Sequence, residues 1–224
     1  MKSEQAEPAR IVVLISGSGS NMVAIAKSCF KKEMDGEIVA VISNRPDAGG
    51  LERAKELKLA TDFVDHTKFA TREEFDVNLI RAIDEHSPDL IVLAGFMRIL
   101  TPDFVRRYKG KLVNIHPSLL PKYKGLNTHN RALEAGDKEH GVTVHFVSED
   151  LDGGPNIIQS VVPVLDDDNA QTLQVRVQAQ EHVIFPIAVK WFVEGRLSMI
   201  KGDAYFDNQA LPETGLQLNP ESIS

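Results

Sequence analysis

Asn114, His116 and Asp152 are the side chains of this sequence whose types and surroundings could act together on one reacting atom. Asn114-Ile115-His116-Pro117 supplies a neutral amide donor and an imidazole, and Leu151-Asp152-Gly153-Gly154-Pro155 supplies a carboxylate. Each sits where a strand should run out into a loop. Residues two apart on an extended segment point the same way, so the Asn114 amide and the His116 ring can face a common atom. A buried carboxylate beside an imidazole fixes the ring and favours its charged form. Amide plus imidazolium is what a developing oxyanion requires. The trio therefore suits acyl-type transfer without a metal or a covalent intermediate. The plainer alternative is a turn, because Pro117 biases His116 toward extended geometry and Asn suits loop entry. His145, upstream of Asp152, reads either as a residue lining the site or as a satisfied structural histidine.

A second feature is Ser16-Gly17-Ser18-Gly19-Ser20-Asn21, directly after the apolar run Ile11–Ile15. Strand, glycine turn and helix start let backbone N–H groups approach an anion, and the helix N-terminus favours it. A dinucleotide site fits poorly. Met22 stands at the third glycine position, and the second strand ends Ile42-Ser43-Asn44-Arg45, with no acidic residue for a ribose diol. No Walker lysine follows the turn. A phosphomonoester fits better than NAD or ATP, and a tight strand-to-helix connection with no ligand is the competing reading.

The elements that must position these groups alternate along the chain. Strands are predicted at Ile11–Ile15, Ile38–Ile42, Thr61–Val64, Leu90–Ala94, Leu112–Ile115, Gly141–Val147 and Ile157–Val164. Helices are predicted at Asn21–Lys32, around Gly50–Leu57, from the capping-box pattern Thr71-Arg72-Glu73-Glu74 to about Glu85, from Thr101-Pro102-Asp103, over Thr128–Ala135, and over Asn169–Val193 with Pro186 as a kink. Gly195–Met199 and Ala204–Asp207 should form a small terminal hairpin. The β-α-β-α rhythm predicts an α/β fold, a mostly parallel twisted sheet with helices on both faces. In such sheets ligands lie outside the carboxyl ends of the strands. The glycine turn, Gly95–Arg98, Asn114–Pro117 and Glu149–Pro155 are all expected to open there.

The chain has 224 residues, 25 basic against 32 acidic, a formal charge of −7 that argues against a nucleic-acid partner. Cys29 is the only cysteine, so neither an intrachain disulfide nor a thiolate metal cluster is expected. The seven histidines include no His-Glu-x-x-His, and no metal site is predicted. No apolar run approaches a membrane span and no signal peptide opens the chain, which leads to an expectation of a cytoplasmic protein. The reading divides the chain into a polar extension (1–10), one domain (11–212) and a tail (213–224). A homodimer is left open.

Taken together, Ser16–Asn21, Ala94-Gly-Phe-Met-Arg-Ile-Leu100, Asn114-Ile-His-Pro-Ser-Leu-Leu-Pro-Lys-Tyr123 and Leu151–Pro155 resemble the folate-dependent phosphoribosylglycinamide formyltransferases of purine synthesis, over about Ile11 to Pro212. The resemblance implies a Rossmann-like formyltransferase fold. It also implies transfer of a formyl group from 10-formyltetrahydrofolate, as co-substrate, to the glycine amine of 5'-phosphoribosylglycinamide. It casts Asn114, His116 and Asp152 as the catalytic trio, with Asn114 also meeting the folate. Gly19, Ser20 and Asn21 would hold the substrate phosphate and Glu181 its ribose. Met97, Arg98, Ile99 and Leu100 would line the pterin pocket through backbone groups, and Arg72 would meet the folate's glutamate tail. Taken alone, Arg72 is an exposed residue in a helix's first turn and Glu181 part of a solvated face. Two positions depart from the family pattern: Lys124 where a proline is expected, and Asn127 where bacterial relatives commonly have histidine. Neither carries the chemistry, so the departures bear on loop rigidity.

Related chemistries share this core. A methionyl-tRNA formyltransferase would need a further C-terminal RNA-binding domain, and this acidic chain ends at Ser224. A formyltetrahydrofolate hydrolase uses a similar trio with water as acceptor and normally carries an N-terminal regulatory domain, whereas ten residues precede Ile11. A non-catalytic phosphate- or folate-binding module would bind without turnover.

Overall fold

The computed structural model describes residues 7–218. The remainder of the polar extension (1–6) and of the tail (219–224) lies outside them. The chain begins with β1 (Ala9–Ile15), α1 (Ser20–Phe30), β2 (Gly36–Ser43), α2 (Gly49–Glu56) and β3 (Thr61–Phe63), then a short 3-10 turn at His66–Lys68 and α3 (Arg72–Asp84). It continues through β4 (Leu90–Leu93), α4 (Pro102–Arg107), β5 (Leu112–His116), α5 (Thr128–Glu134), β6 (Glu139–Phe146), β7 (Asn156–Pro163) and the long α6 (Ala170–Val193). Four short strands close it: β8 (Leu197–Ile200), β9 (Asp203–Phe206), β10 (Gln209–Ala210) and β11 (Leu216–Leu218).

Eight strands form one sheet in the order β11-β7-β6-β5-β4-β1-β2-β3. Every neighbouring pair is parallel except β5–β6 and β6–β7, so β6 alone runs backwards. From β1 the chain moves outward to β2 and β3, then returns through α3 to β4 on the other side. The carboxyl ends of β1 and β4 thus flank the point where strand order reverses, the place where open α/β sheets form a crevice.

β1 explains why the sheet is covered on both faces. Its alternate residues divide between two cores: Ile11, Val13 and Ile15 pack with α1, α2 and α6, while Val12 and Leu14 pack with α3 and α4. All five are fully buried, each contributing about 1.5–3 kcal/mol. A strand apolar on both sides is therefore required by its position, not only permitted.

Helix starts follow the local sequence. Thr71 caps α3 by accepting from Glu74 N at 3.2 Å, but the Glu74 carboxylate reaches back to Ala70 N at 3.0 Å instead of the cap residue's own N–H. Asn169 and Thr172 make the reciprocal capping box of α6. Pro186 lies inside α6 without ending it.

The expected terminal hairpin forms between β8 and β9 and is extended by one strand, while two boundaries need correction. The terminal hairpin has a third strand, β10, so the small second sheet is β10-β9-β8. Leu216–Leu218, assigned to a tail, pairs in parallel with Ile158–Ser160 as the edge of the main sheet. Two leucines around Gln217 are too short a pattern to announce a strand. Gly215 permits the approach, since a Cβ there would overlap the Ile157 carbonyl. Ala9 and Arg10, assigned to the polar extension, begin β1. No helix among the described residues is long and apolar enough to cross a membrane.

Candidate active site

β5 carries Asn114 and His116 toward its carboxyl end, with β4 between it and β1. At roughly 4.8 Å per strand, the β1 and β5 ends stand about 10 Å apart. The loop bearing Asp152 reaches this edge by an unexpected route. Because β6 is reversed, its last residues lie beside Val113 and Leu112, and Val147 N donates to Leu112 O at 2.9 Å. The connection leaves the sheet at the far end of β5 and must turn back to reach His116. Two features make the reversal feasible. Gly154 is pressed against the Phe146 carbonyl so closely that any Cβ would overlap it. Asp152 itself sits at φ 47°, a left-handed conformation costly for a residue other than glycine.

The three predicted groups converge. His116 Nδ1 lies 3.4 Å from Asp152 Oδ2, with both side chains more than nine-tenths buried. The opposite ring nitrogen, Nε2, is 2.9 Å from the Tyr123 carbonyl. A carbonyl can only accept, so Nε2 carries the proton. Asp152 Oδ2 also accepts from Gly125 N at 2.8 Å. The loop after β5 is thereby tied to both members of the pair.

His145 proves to be both things the sequence left open. It is buried, its Nδ1 donates to the Phe146 carbonyl at 2.8 Å, and its Nε2 lies 3.1 Å from Asn114 Nδ2. Burial holds the imidazole down at about 4, so it is neutral near pH 7. With the proton fixed on Nδ1, Nε2 offers a lone pair that accepts from Asn114. That sets the amide's orientation and leaves its second N–H for another acceptor. Asp152 Oδ1 lies 3.8 Å from the same Nε2.

Gly19 caps α1 at φ 71°, and its Cα side rests against Gly50, so no side chain fits. Ser20 and Asn21 open the helix, where the first N–H groups have no intrahelical partner. Glu181 joins this group: Asn21 Nδ2 donates to Glu181 Oε2 at 2.7 Å, and burial raises the carboxyl's pKa despite that bond. Gln178, one turn earlier on α6, donates to Ser20 Oγ at 3.2 Å and was not singled out from sequence. Its three-residue spacing from Glu181 was the available signal.

The segment after β4 forms the third side. Met97 and Ile99 are 62% and 56% exposed, an apolar ledge with no protein cover, while Arg98 and Leu100 are half-buried. The expectation that the backbone from Met97 onward reads a ring needs amendment at its first residue. Met97 N already donates to Ser16 Oγ at 2.7 Å, and Ser16 donates to the buried Asn44 Oδ1. One hydroxyl therefore joins the glycine turn to the ledge. Asp76, buried within α3, accepts from Thr101 N at 2.7 Å and fixes the far end of the segment. Arg72 is exposed at the start of α3, one turn before Asp76. Ser16 and Asp76 escaped sequence reasoning because their partners are distant in the chain.

The departures in the loop after β5 are accommodated. Asn127 adopts φ 58°, which asparagine tolerates better than most residues. The Arg131 guanidinium donates to Lys124 O at 2.7 Å and lies 5.2 Å from the Tyr123 ring centre. Among the described residues no cluster of three or more His, Cys, Asp or Glu could hold a metal ion.

A profile of the formyl transferase family matches residues 9–189. The chain belongs to that family. Phosphoribosylglycinamide formyltransferase of Escherichia coli (strain K12) is 53% identical over 205 residues, covering 92% of this chain and 97% of the relative. The enzyme of that name from Haemophilus influenzae is 47% identical over 206 residues, with the same shares. Among solved structures of formyl transferases, phosphoribosylglycinamide formyltransferase from Coxiella burnetii, in complex with CHES, superposes with a TM-score of 0.91. It is 48% identical and covers 95% of this chain and 100% of that one.

Proposed function

We infer that this chain transfers the formyl group of 10-formyltetrahydrofolate to the glycine amine of 5'-phosphoribosylglycinamide, yielding the formylated glycinamide and tetrahydrofolate. The relatives covered over nearly their full length are named phosphoribosylglycinamide formyltransferases. The observation that carries the reading to residues is the convergence of a half-buried amide donor, an N–H-bearing imidazole and a carboxylate at the sheet edge that also holds the glycine turn.

The neutral amine attacks the formyl carbon, forming the new C–N bond and placing negative charge on the formyl oxygen. Asn114 meets that charge with the N–H that His145 does not use. His116 meets it with the Nε2 proton now held by the Tyr123 carbonyl, exchanging one acceptor for the other. Asp152 balances the imidazolium. The C–N10 bond then breaks, and the proton lost by the amine passes to folate N10. Gly19, Ser20 and Asn21 hold the phosphate and Glu181 the ribose. The ledge from Met97 to Leu100 takes the pterin, and Arg72 the glutamate tail. Held together, the reactants gain from proximity as well as from oxyanion stabilisation.

The test is release of tetrahydrofolate with and without phosphoribosylglycinamide, with the glycinamide product checked for formyl. Release that depends on the amine and delivers formyl to it is expected. Release without the amine would make the chain a hydrolase, and no release would leave a binding module.

A further inference from the structure

A groove between α1 and α6 opens beside Ser20 and plays no part in the chemistry above. It encloses about 610 Å³, and its walls include Lys27, Lys31, Arg53, His182 and Lys190 against one carboxylate, Glu33. These cations are not equally available. Lys190 donates to the Glu33 carbonyl at 2.6 Å and pairs with Glu194, while Lys31 lies 3.8 Å from the Glu33 carboxylate. Glu52, beside Arg53 in the chain, is neutralised by Lys55 at 2.7 Å. Lys27 and Arg53 make no ion pair among the described residues. His182, which lines the same groove, has an Nε2 that is shut from solvent and has no hydrogen-bond partner among the described residues. Burial, then the Lys27 charge, holds that imidazole below its ordinary pKa.

In a chain of net charge −7, two cations with no ion pair among the described residues, in a groove that reaches Ser20 at the start of α1, need an explanation. A concave surface of one sign focuses the field and raises the local concentration of a counter-charged ligand. We infer that the groove is an anion guide: Lys27 and Arg53 draw the substrate's phosphate in and deliver it to the donors that begin at Gly19. This rests on the substrate assigned above. The guide acts on capture, so it selects the phosphorylated glycinamide over an uncharged one without touching the reacting carbon.

The experiment compares the wild-type chain with the Lys27→Gln/Arg53→Gln double variant in kcat/KM for phosphoribosylglycinamide across ionic strength. Both residues are exposed, and a thermal melt checks that the variant folds. In dilute buffer the variant should be roughly threefold to tenfold slower in kcat/KM. The two proteins should converge as salt rises past about 0.1 M, where the Debye length is about 10 Å. The KM for 10-formyltetrahydrofolate should not move. Identical kcat/KM and identical salt dependence would overturn the guide. Calorimetric titration with inorganic phosphate, without turnover, separates this inference from the function it rests on. Phosphate affinity that drops in the variant supports the guide even if no glycinamide is formylated, in which case only the substrate assignment falls. Normal formylation with phosphate affinity indifferent to both substitutions would leave the function standing and remove the guide.

Discussion

On the β1 side of β4 the candidate site is built from main chain, and on the β5 side it is built from side chains. The glycine turn belongs to a regular β-α-β unit, and its donors are the N–H groups any helix start provides. It needs small residues and little else. The opposite side gathers Asn114, His116, His145 and Asp152 around a reversed strand. It uses a register shift between Val144 and His145, a left-handed Asp152 and a glycine wedged on a carbonyl. A turn of main-chain donors needs only regular architecture, whereas bringing side chains from separate strands and loops together requires departures from regularity, each held by its surroundings.

The comparison is sharpest at the reacting atom. Replacing His116 or Asn114 by alanine should lower turnover by about 10²–10³, the usual cost of one oxyanion donor, with the melting profile little changed. Steady-state kinetics at saturating substrates would decide it, and near-wild-type turnover would remove the assignment.

The wedge comes next. Gly154→Ala should cost about 1–3 kcal/mol, as overpacking does, and displace Asp152 from His116. Urea unfolding and turnover should therefore fall together. Full activity at reduced stability would show that the carboxylate's placement does not depend on the wedge.

The third prediction concerns pH. His140 and His145 are both buried and held at about 4, against 6.5 for an ordinary imidazole. As pH falls, the unfolded chain takes up these protons first, so stability is whole above about 6.5 and drains away between there and about 4. Each histidine should cost on the order of 2 kcal/mol by pH 5. Denaturant titrations from pH 7 to 5 should show the loss, and His140→Asn should flatten the slope. A stability that does not change over this range would contradict neutral burial.

The smallest effect belongs to the regular side. Ser16→Ala removes one acceptor from Met97 N and one donor to Asn44, at a net cost of about 1–2 kcal/mol. The KM for the folate should rise while turnover at saturation stays within a few-fold. A large fall in turnover would place Ser16 nearer the chemistry than its hydrogen bonds suggest.

Most elements were legible because each apolar run and cap acts locally: Thr71, Thr101 and Asn169 start their helices as their types require. The proximity of Asn114 and His116 was legible because the two share a strand face. Strand direction was not, since Val142, Val144 and Phe146 alternate identically whichever way β6 runs. Hence the detour taken by the Asp152 loop could not be foreseen. The Ser16–Met97 and Asp76–Thr101 bonds span 81 and 25 residues, and no local pattern encodes such partners.

The segment from Pro117 to Asn127 is buckled at two points, Tyr123 O on His116 Nε2 and Gly125 N on Asp152 Oδ2. Both buckles are fastened to atoms that the proposed reaction requires. Whatever claims the imidazole proton or the carboxylate must unfasten one of them, so the arrival of substrate and the loosening of this strap are one exchange of hydrogen bonds.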